Sequence, residues 1–293
     1  MNPHAARAEF LRELCRRHPE LLGWKNLDRA LLGQGDIDAA APRNRVAAIA
    51  ADAVDLAPAI LGATHVIRCE HVADKLLHFF VQPQLLPQLL EFDLCTQPGR
   101  GLAPWASPSR LLALADMDDN GIRRIRPGAE AVVVLVYRGL SPRGSNGLTD
   151  DEMQFVTNRI AEDRTGAEQA CRTLPPRPAR SSLQRLVAGL AEGKWQQDLA
   201  RRAFLGFATS GPAHPVFTTR RIRYRLQLAT GGECLMSDLA RHHGRRVPAS
   251  GLDRMLADAR VGGHEVHALA VAPFSTVTLE RKASDDASMQ RLS

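Results

Sequence analysis

Two aspartates one residue apart, Asp36 and Asp38, follow directly behind a turn that carries Gly33 and Gly35 in the stretch LLGQGDID. Successive strand residues point to opposite faces, so both acids are expected on one face, with Ile37 turned into the core. At a strand rise of about 3.3 Å their Cα atoms would stand ~6.6 Å apart. Two carboxylates at that spacing can converge on Mg²⁺ or Mn²⁺, hard cations that take one or two carboxylates and leave room for substrate phosphates. The glycines would let the backbone approach a phosphate with no Cβ in the way. The plainer reading is a solvated turn with two incidental acids.

A later segment, LLEFDLC, supplies a possible complement. As a strand it places Glu91, Asp93 and Cys95 on one face and Leu90, Phe92 and Leu94 on the other. An acid among such apolar neighbours is costly unless something pairs with it. Beside the Asp36–Asp38 strand, Asp93 becomes a third carboxylate. Three carboxylates can hold two divalent ions, one activating a hydroxyl and one neutralising a leaving pyrophosphate.

In these residues the chain resembles the nucleotidyltransferase superfamily, the fold of polymerase-β-like enzymes, antibiotic nucleotidyltransferases and nucleotidyltransferase toxins. The resemblance rests on GQGDID followed by EFDL and covers Leu21 to Cys95. It implies metal-binding and catalytic roles for Asp36, Asp38 and Asp93. It also implies nucleotide contacts at Gly33 and Gly35, and a triphosphate contact at Lys25 in WKN. Where most members carry a Gly-Ser or Gly-Gly pair, this chain has Leu32-Gly33-Gln34-Gly35 and no serine. The implied activity is transfer of NMP from an NTP to a hydroxyl acceptor, a small molecule or RNA, with release of pyrophosphate. The alternative is a non-catalytic nucleotide-sensing or DNA-binding regulator.

The elements needed to hold these residues are legible in outline. Periodicity predicts a helix at the N-terminus, with Phe10, Leu11, Leu14 and Cys15 on one side, and another over NRVAAIAADAVDLAPAIL. THVIRCEHV, KLLHFFVQ, QLLEFDLC and EAVVVLVYRG read as strands, giving a mixed sheet with helices on one face. Thr149 with Glu152 forms a helix-start signature. CRTLPPRPARSS reads as a linker, and SSLQRLVAGLAEGKWQQDLARRAFLGF as amphipathic helix. The expected fold is α+β: a nucleotidyltransferase-like domain over 1–140, a helical segment over 141–205, and a small α/β, winged-helix-like or partner-binding part over 206–293.

Other signals carry blander alternatives. Arg68 or His71 in HVIRCEHV could line a nucleotide cleft. The His65, Cys69 and His71 face fits no standard zinc spacing. Trp105 could stack on a base or anchor its loop. Arg123, Arg124 and Arg126 could meet phosphate or form a solvated edge. Arg221, Arg223 and Arg225 would form a basic stripe on one strand face, suited to a nucleic-acid backbone or to a charged sheet edge. The helix with Asp253, Arg254 and Asp258 is a poor set for base edges, so DNA binding is not favoured there.

Composition bounds the classes. The 293 residues are 44% hydrophobic and 24% charged, as in a soluble globular chain. No apolar run could span a bilayer and no secretory h-region opens the sequence, so a cytoplasmic protein without a membrane partner is expected. Five cysteines without a CxxC pair argue against a disulfide framework. A net charge of +6, rich in arginine, suits an anionic partner or an arginine-favouring genome equally.

Overall fold

The computed structural model describes residues 3–63, 65–71, 75–81, 90–100, 103–210, 269–272 and 275–281, with Val216 and Thr219. It opens with α1 (Pro3–Arg17), β1 (Leu22–Lys25), α2 (Leu27–Leu31), β2 (Ile37–Ala40) and α3 (Val46–Leu61). There follow β3 (His65–His71), β4 (Lys75–Val81), β5 (Leu90–Cys95), β6 (Gly99–Arg100) and β7 (Ala103–Pro104). Next come α4 (Pro108–Leu112), β8 (Ala115–Met117), β9 (Arg123–Ile125) and α5 (Pro127–Val134). The helices α6 (Asp150–Glu162), α7 (Arg164–Thr173), α8 (Arg177–Ala191) and α9 (Gln197–Ala208) precede β10 (Leu269–Ala272) and β11 (Ser275–Arg281).

The architecture is α+β around one mixed sheet, ordered β10-β11-β3-β4-β5-β2-β1-β9-β8. Strand β2 runs parallel to β5 and antiparallel to β1, while β1 runs parallel to β9. Residue alternation divides the core. Ile37, Ala39, Leu90, Phe92 and Leu94 pack with Phe10, Leu11 and Leu14 of α1 and Ile49 and Ala53 of α3. Leu22, Trp24 and Ala40 instead join Val132, Val136, Leu183 and Phe207 in a second cluster. Helices therefore cover both faces, where one covered face was expected. The second cluster also unites residues from either side of position 140.

The sequence misleads most at EAVVVLVYRG. Instead of a strand it forms α5 and a π-helical turn at Leu135–Gly139. A short apolar run is compatible with either buried form. Here Pro127 at the first turn presets the helix. Every residue from Gly128 to Val134 is buried, as a helix apolar on all sides requires. The expected linker is likewise mostly helical. Cys171–Thr173 finish α7 and Arg177 starts α8, because proline is tolerated in a helix's first turn, where its missing N–H has no partner to lose. The long amphipathic segment breaks after Ala191 and resumes at Gln197. The Thr149–Glu152 signature does form a reciprocal capping box on α6.

No helix among the described residues is long and apolar enough to cross a membrane. The expected helix-turn-helix region and Arg221, Arg223 and Arg225 lie outside the described residues. In the C-terminal part, β10 pairs with β11, and β11 adds to the sheet against β3.

α5 approaches α7 so closely that a Cβ at Gly128 would stand 1.9 Å from the Asp163 carbonyl oxygen and 2.5 Å from the Ala167 nitrogen. Backbone cannot yield as a side-chain tip can, and overpacking costs about 1–3 kcal/mol. Gly128→Ala is expected to lose stability at the upper end of that range, read as a lowered urea midpoint; an unchanged midpoint would show that α5 and α7 separate freely.

Candidate metal centre

The site begins with strand pairing. In the β2–β5 ladder Asp38 lies opposite Asp93, and in the β1–β2 ladder Lys25 lies opposite Asp38. Residues directly opposite one another share a face, so a single row reads Lys25, Asp38, Asp93. Asp36 sits immediately before β2, and it alone of the three acids is only partly buried. Asp38 and Asp93 are 0% and 1% exposed. Each of the three offers a carboxylate oxygen, and these oxygens all lie within 4.8 Å of one another. Among the described residues no other group of three potential metal-ligating side chains occurs.

Electrostatics make this arrangement costly without a cation. Burial pushes the Asp38 carboxyl up, and Asp36 and Asp93 push it further; against the pull of Lys25 it reaches about 7. Lys25 Nζ donates to Asp38 Oδ2. Asp38 Oδ1 is buried with no hydrogen-bond partner. A buried carboxylate oxygen without a donor fits a hard cation better than it fits a purely structural role. The donor set, carboxylate oxygens alone, suits Mg²⁺ or Mn²⁺ chemically.

The glycine turn differs at its two positions. Gly33 and Gly35 adopt φ of 81° and 113°, a region that side chains other than glycine rarely enter. A Cβ at Gly33 would press on the Arg7 guanidinium at 3.3 Å, whereas at Gly35 it would meet nothing within 4 Å. The turn is thus braced from behind and open beside Asp36.

Several positioning residues escaped the sequence reading. Arg7 of α1 is 3% exposed and donates to the Ala30 carbonyl at 3.0 Å, bracing the end of α2. Its place three, four and seven residues before Phe10, Leu11 and Leu14 was the available signal, since that spacing puts it on the buried helix face. Glu130, buried in α5, accepts from the Asn26 backbone N–H, and burial holds its carboxyl above the usual range. Asn26 is left-handed, at φ 53°. Arg124 bridges Glu130 at 3.3 Å and Asp28 at 2.5 Å, and Arg159 reaches the same Asp28 at 2.5 Å. The backbone beside Lys25 is therefore fixed by ion pairs from β9, α5 and α6.

The other sequence candidates separate. Arg68 lies in the register row of His78, Phe92 and Ile37, next to the acidic row and not within it; its side chain lies outside the described residues, as do those of His65, Cys69 and His71. Trp105 anchors its loop: it is buried, with ring centroids 5.7 Å from Tyr137 and 6.1 Å from Phe207. Arg123, Arg124 and Arg126 do not form a free solvated edge, since each has partners within the protein. They bind the Pro19 carbonyl, Asp28 with Glu130, and Asp163 respectively.

The chain matches no protein-family model, no curated protein and no solved structure.

The raised Asp38 value has a defined sign. Below about pH 4 the carboxyl is neutral in folded and unfolded chains alike and costs nothing. Between about 4 and about 7 the unfolded chain releases the proton and the native state keeps it, so stability falls with rising pH by about 1.4 kcal/mol per unit. In EDTA, the difference in unfolding free energy between wild type and Asp38→Asn should drift against the wild type across that window, approaching about 4 kcal/mol by pH 7. A pH-independent difference in urea titrations would contradict the assigned environment.

Proposed function

We propose that this protein is a metal-dependent nucleotidyltransferase, a member of the polymerase-β-like superfamily. The observation that carries the reading is the convergence of Asp36, Asp38 and Asp93 from two sheet strands, with a buried Asp38 oxygen left for a cation. The order in the chain adds support: a glycine turn, an Asp-x-Asp entering a strand, and a third acid on the strand pairing parallel to it.

On this reading Asp36 and Asp38 hold Mg²⁺ or Mn²⁺, with Asp93 completing the set. When bound, the cation supplies charge neutralisation of the triphosphate and acidifies the attacking hydroxyl. Asp93 would bind a second ion or help deprotonate the acceptor hydroxyl. The Gly33–Gly35 turn leaves space for phosphate next to Asp36. Lys25 adds a positive charge at the triphosphate. In-line attack at the α-phosphorus joins the acceptor oxygen to NMP and breaks the α–β bridge, and pyrophosphate leaves.

The acceptor class follows from charge only in part. A surplus of six positive charges suits RNA, whose binding weakens steeply with salt through counter-ion release. A small hydroxylated acceptor would show no such slope.

The test is transfer of label from α-³²P-NTPs to total RNA and to a small-molecule extract, with Mg²⁺ or Mn²⁺. Loss of groups that merely support metal ligands already costs about 10–100-fold. Asp38→Asn, which removes a ligand, should therefore lower transfer by more than about 100-fold while circular dichroism stays native. Wild-type turnover by that variant would end the proposal. Metal-dependent thermal stabilisation by an NTP without transfer would identify a nucleotide sensor instead.

A further inference from the structure

The acidic row is paired with a cation of the chain's own. Lys25 contacts Asp38 Oδ2, the other oxygen of the carboxylate whose Oδ1 has no partner. The geometry is built rather than incidental. The β1–β2 register shifts between Gly23 and Lys25, and this irregularity brings Lys25 opposite Asp38. The next residue is the left-handed Asn26, held at its N–H by Glu130 and at its carbonyl by the Ala30 N–H at 3.1 Å. The ammonium also sits 5.2 Å from the centre of the Trp24 ring, a second site that favours a cation. Lys25 retains 19% side-chain exposure where Asp38 has none, so the lysine is the more accessible partner of the pair.

A divalent ion on Asp38 and this ammonium on the same carboxylate would be like charges in one partly desolvated place, where repulsion is poorly screened. Placed on the two oxygens of one carboxylate, each cation weakens the other's hold on Asp38. The side chain of lysine is long, flexible and presents its charge as a point, which suits exchange between partners better than the fixed fork of arginine does.

Resting on the metal reading above, we infer that Lys25 is an exchangeable counter-ion: it neutralises Asp38 while the site is metal-free, and metal loading releases it to meet the nucleotide triphosphate. No covalent step is involved, and only ion-pair partners change. Metal and nucleotide then bind in a favoured order, because the first frees the charge that the second uses.

Neutralising Lys25 has opposite effects on the two ligands. Isothermal titration with Mn²⁺ alone should show Lys25→Met binding metal about tenfold more tightly than wild type. With Mn²⁺ saturating, a non-hydrolysable NTP analogue should bind the variant about tenfold more weakly. Arg29→Gln removes an exposed charge from the adjacent helix without touching Asp38, and should change Mn²⁺ affinity less than twofold. Lys25→Gln serves if the methionine variant does not fold.

Equal Mn²⁺ affinity in wild type and the Lys25 variants would overturn the exchange, as would a gain matched by Arg29→Gln. Weakened binding of both ligands would overturn it too, showing Lys25 to be structural support. Absence of Mn²⁺ binding by every form would overturn the metal reading and this inference with it, whereas the other failures leave the metal reading standing.

Discussion

Ionised carboxylates packed against one another inside a protein need a positive charge to meet them, or a proton to neutralise one of them. Asp38 and Asp93 are directly opposed across a parallel strand pair and both are almost fully buried. Like charges so placed repel across the ladder, and the interior offers little water to screen them. The sheet tolerates the pair because β1, on the other side of β2, presents Lys25 in the same row. The order β5-β2-β1 is thus an electrostatic arrangement as much as a topological one. Moving β1 elsewhere would leave a buried surplus of negative charge that burial alone already drives toward protonation.

The helical half supports this arrangement at the backbone of Asn26. Asn26 lies between Lys25 and α2, and its strained conformation needs outside support. That support comes from Glu130, itself kept in place by Arg124 and Arg159, which also share Asp28. An ion cluster of this kind, exposed at Asp28 and buried at Glu130, contributes little net stability, yet losing an arginine leaves the buried Glu130 charge less compensated. Its value here lies in position: it ties β9, α5, α6 and α2 to the residue following Lys25. The shared hydrophobic cluster joining Leu22 and Trp24 to α5, α8 and α9 makes that frame continuous with the sheet.

The sequence exposed the acids because their signal is chemical and local. Asp36 and Asp38 alternate around an apolar Ile37, and Asp93 interrupts an apolar strand, so residue type and period both pointed to one face. Lys25 opposite Asp38 was not legible as a pair, because register depends on a bulge and a left-handed asparagine that no local preference announces. Arg7 and Glu130 were hidden for a related reason: a charged residue within an apolar pattern shows that something must meet it, not what. The misreading of EAVVVLVYRG has another origin. β-Branched residues favour strands only weakly, and packing on α6 and α7 decides the matter for a run buried on every side. The prolines near 175 punctuate the chain without separating domains, because one of them begins a helix.

The three acids also differ in depth, and on the nucleotidyltransferase reading this limits how a substrate approaches. Asp38 and Asp93 are closed off, whereas Asp36 is partly exposed and adjoins Gly35, beside which open space takes the place of a side chain. Of the three acids, Asp36 on the turn side is thus the one open to approach, with Lys25 the other partly exposed member of the row. The missing serine of the turn gains a physical meaning in that light. On the nucleotidyltransferase reading, a triphosphate entering there finds glycine backbone and the Lys25 ammonium in place of a hydroxyl. Recognition would then rest on charge and close backbone approach, which discriminate between anions by size and valence more than by hydrogen-bond pattern. A phosphate site of that kind admits its ligand readily only when the acids beneath it are already neutralised, since three uncompensated carboxylates would repel any polyanion brought beside them.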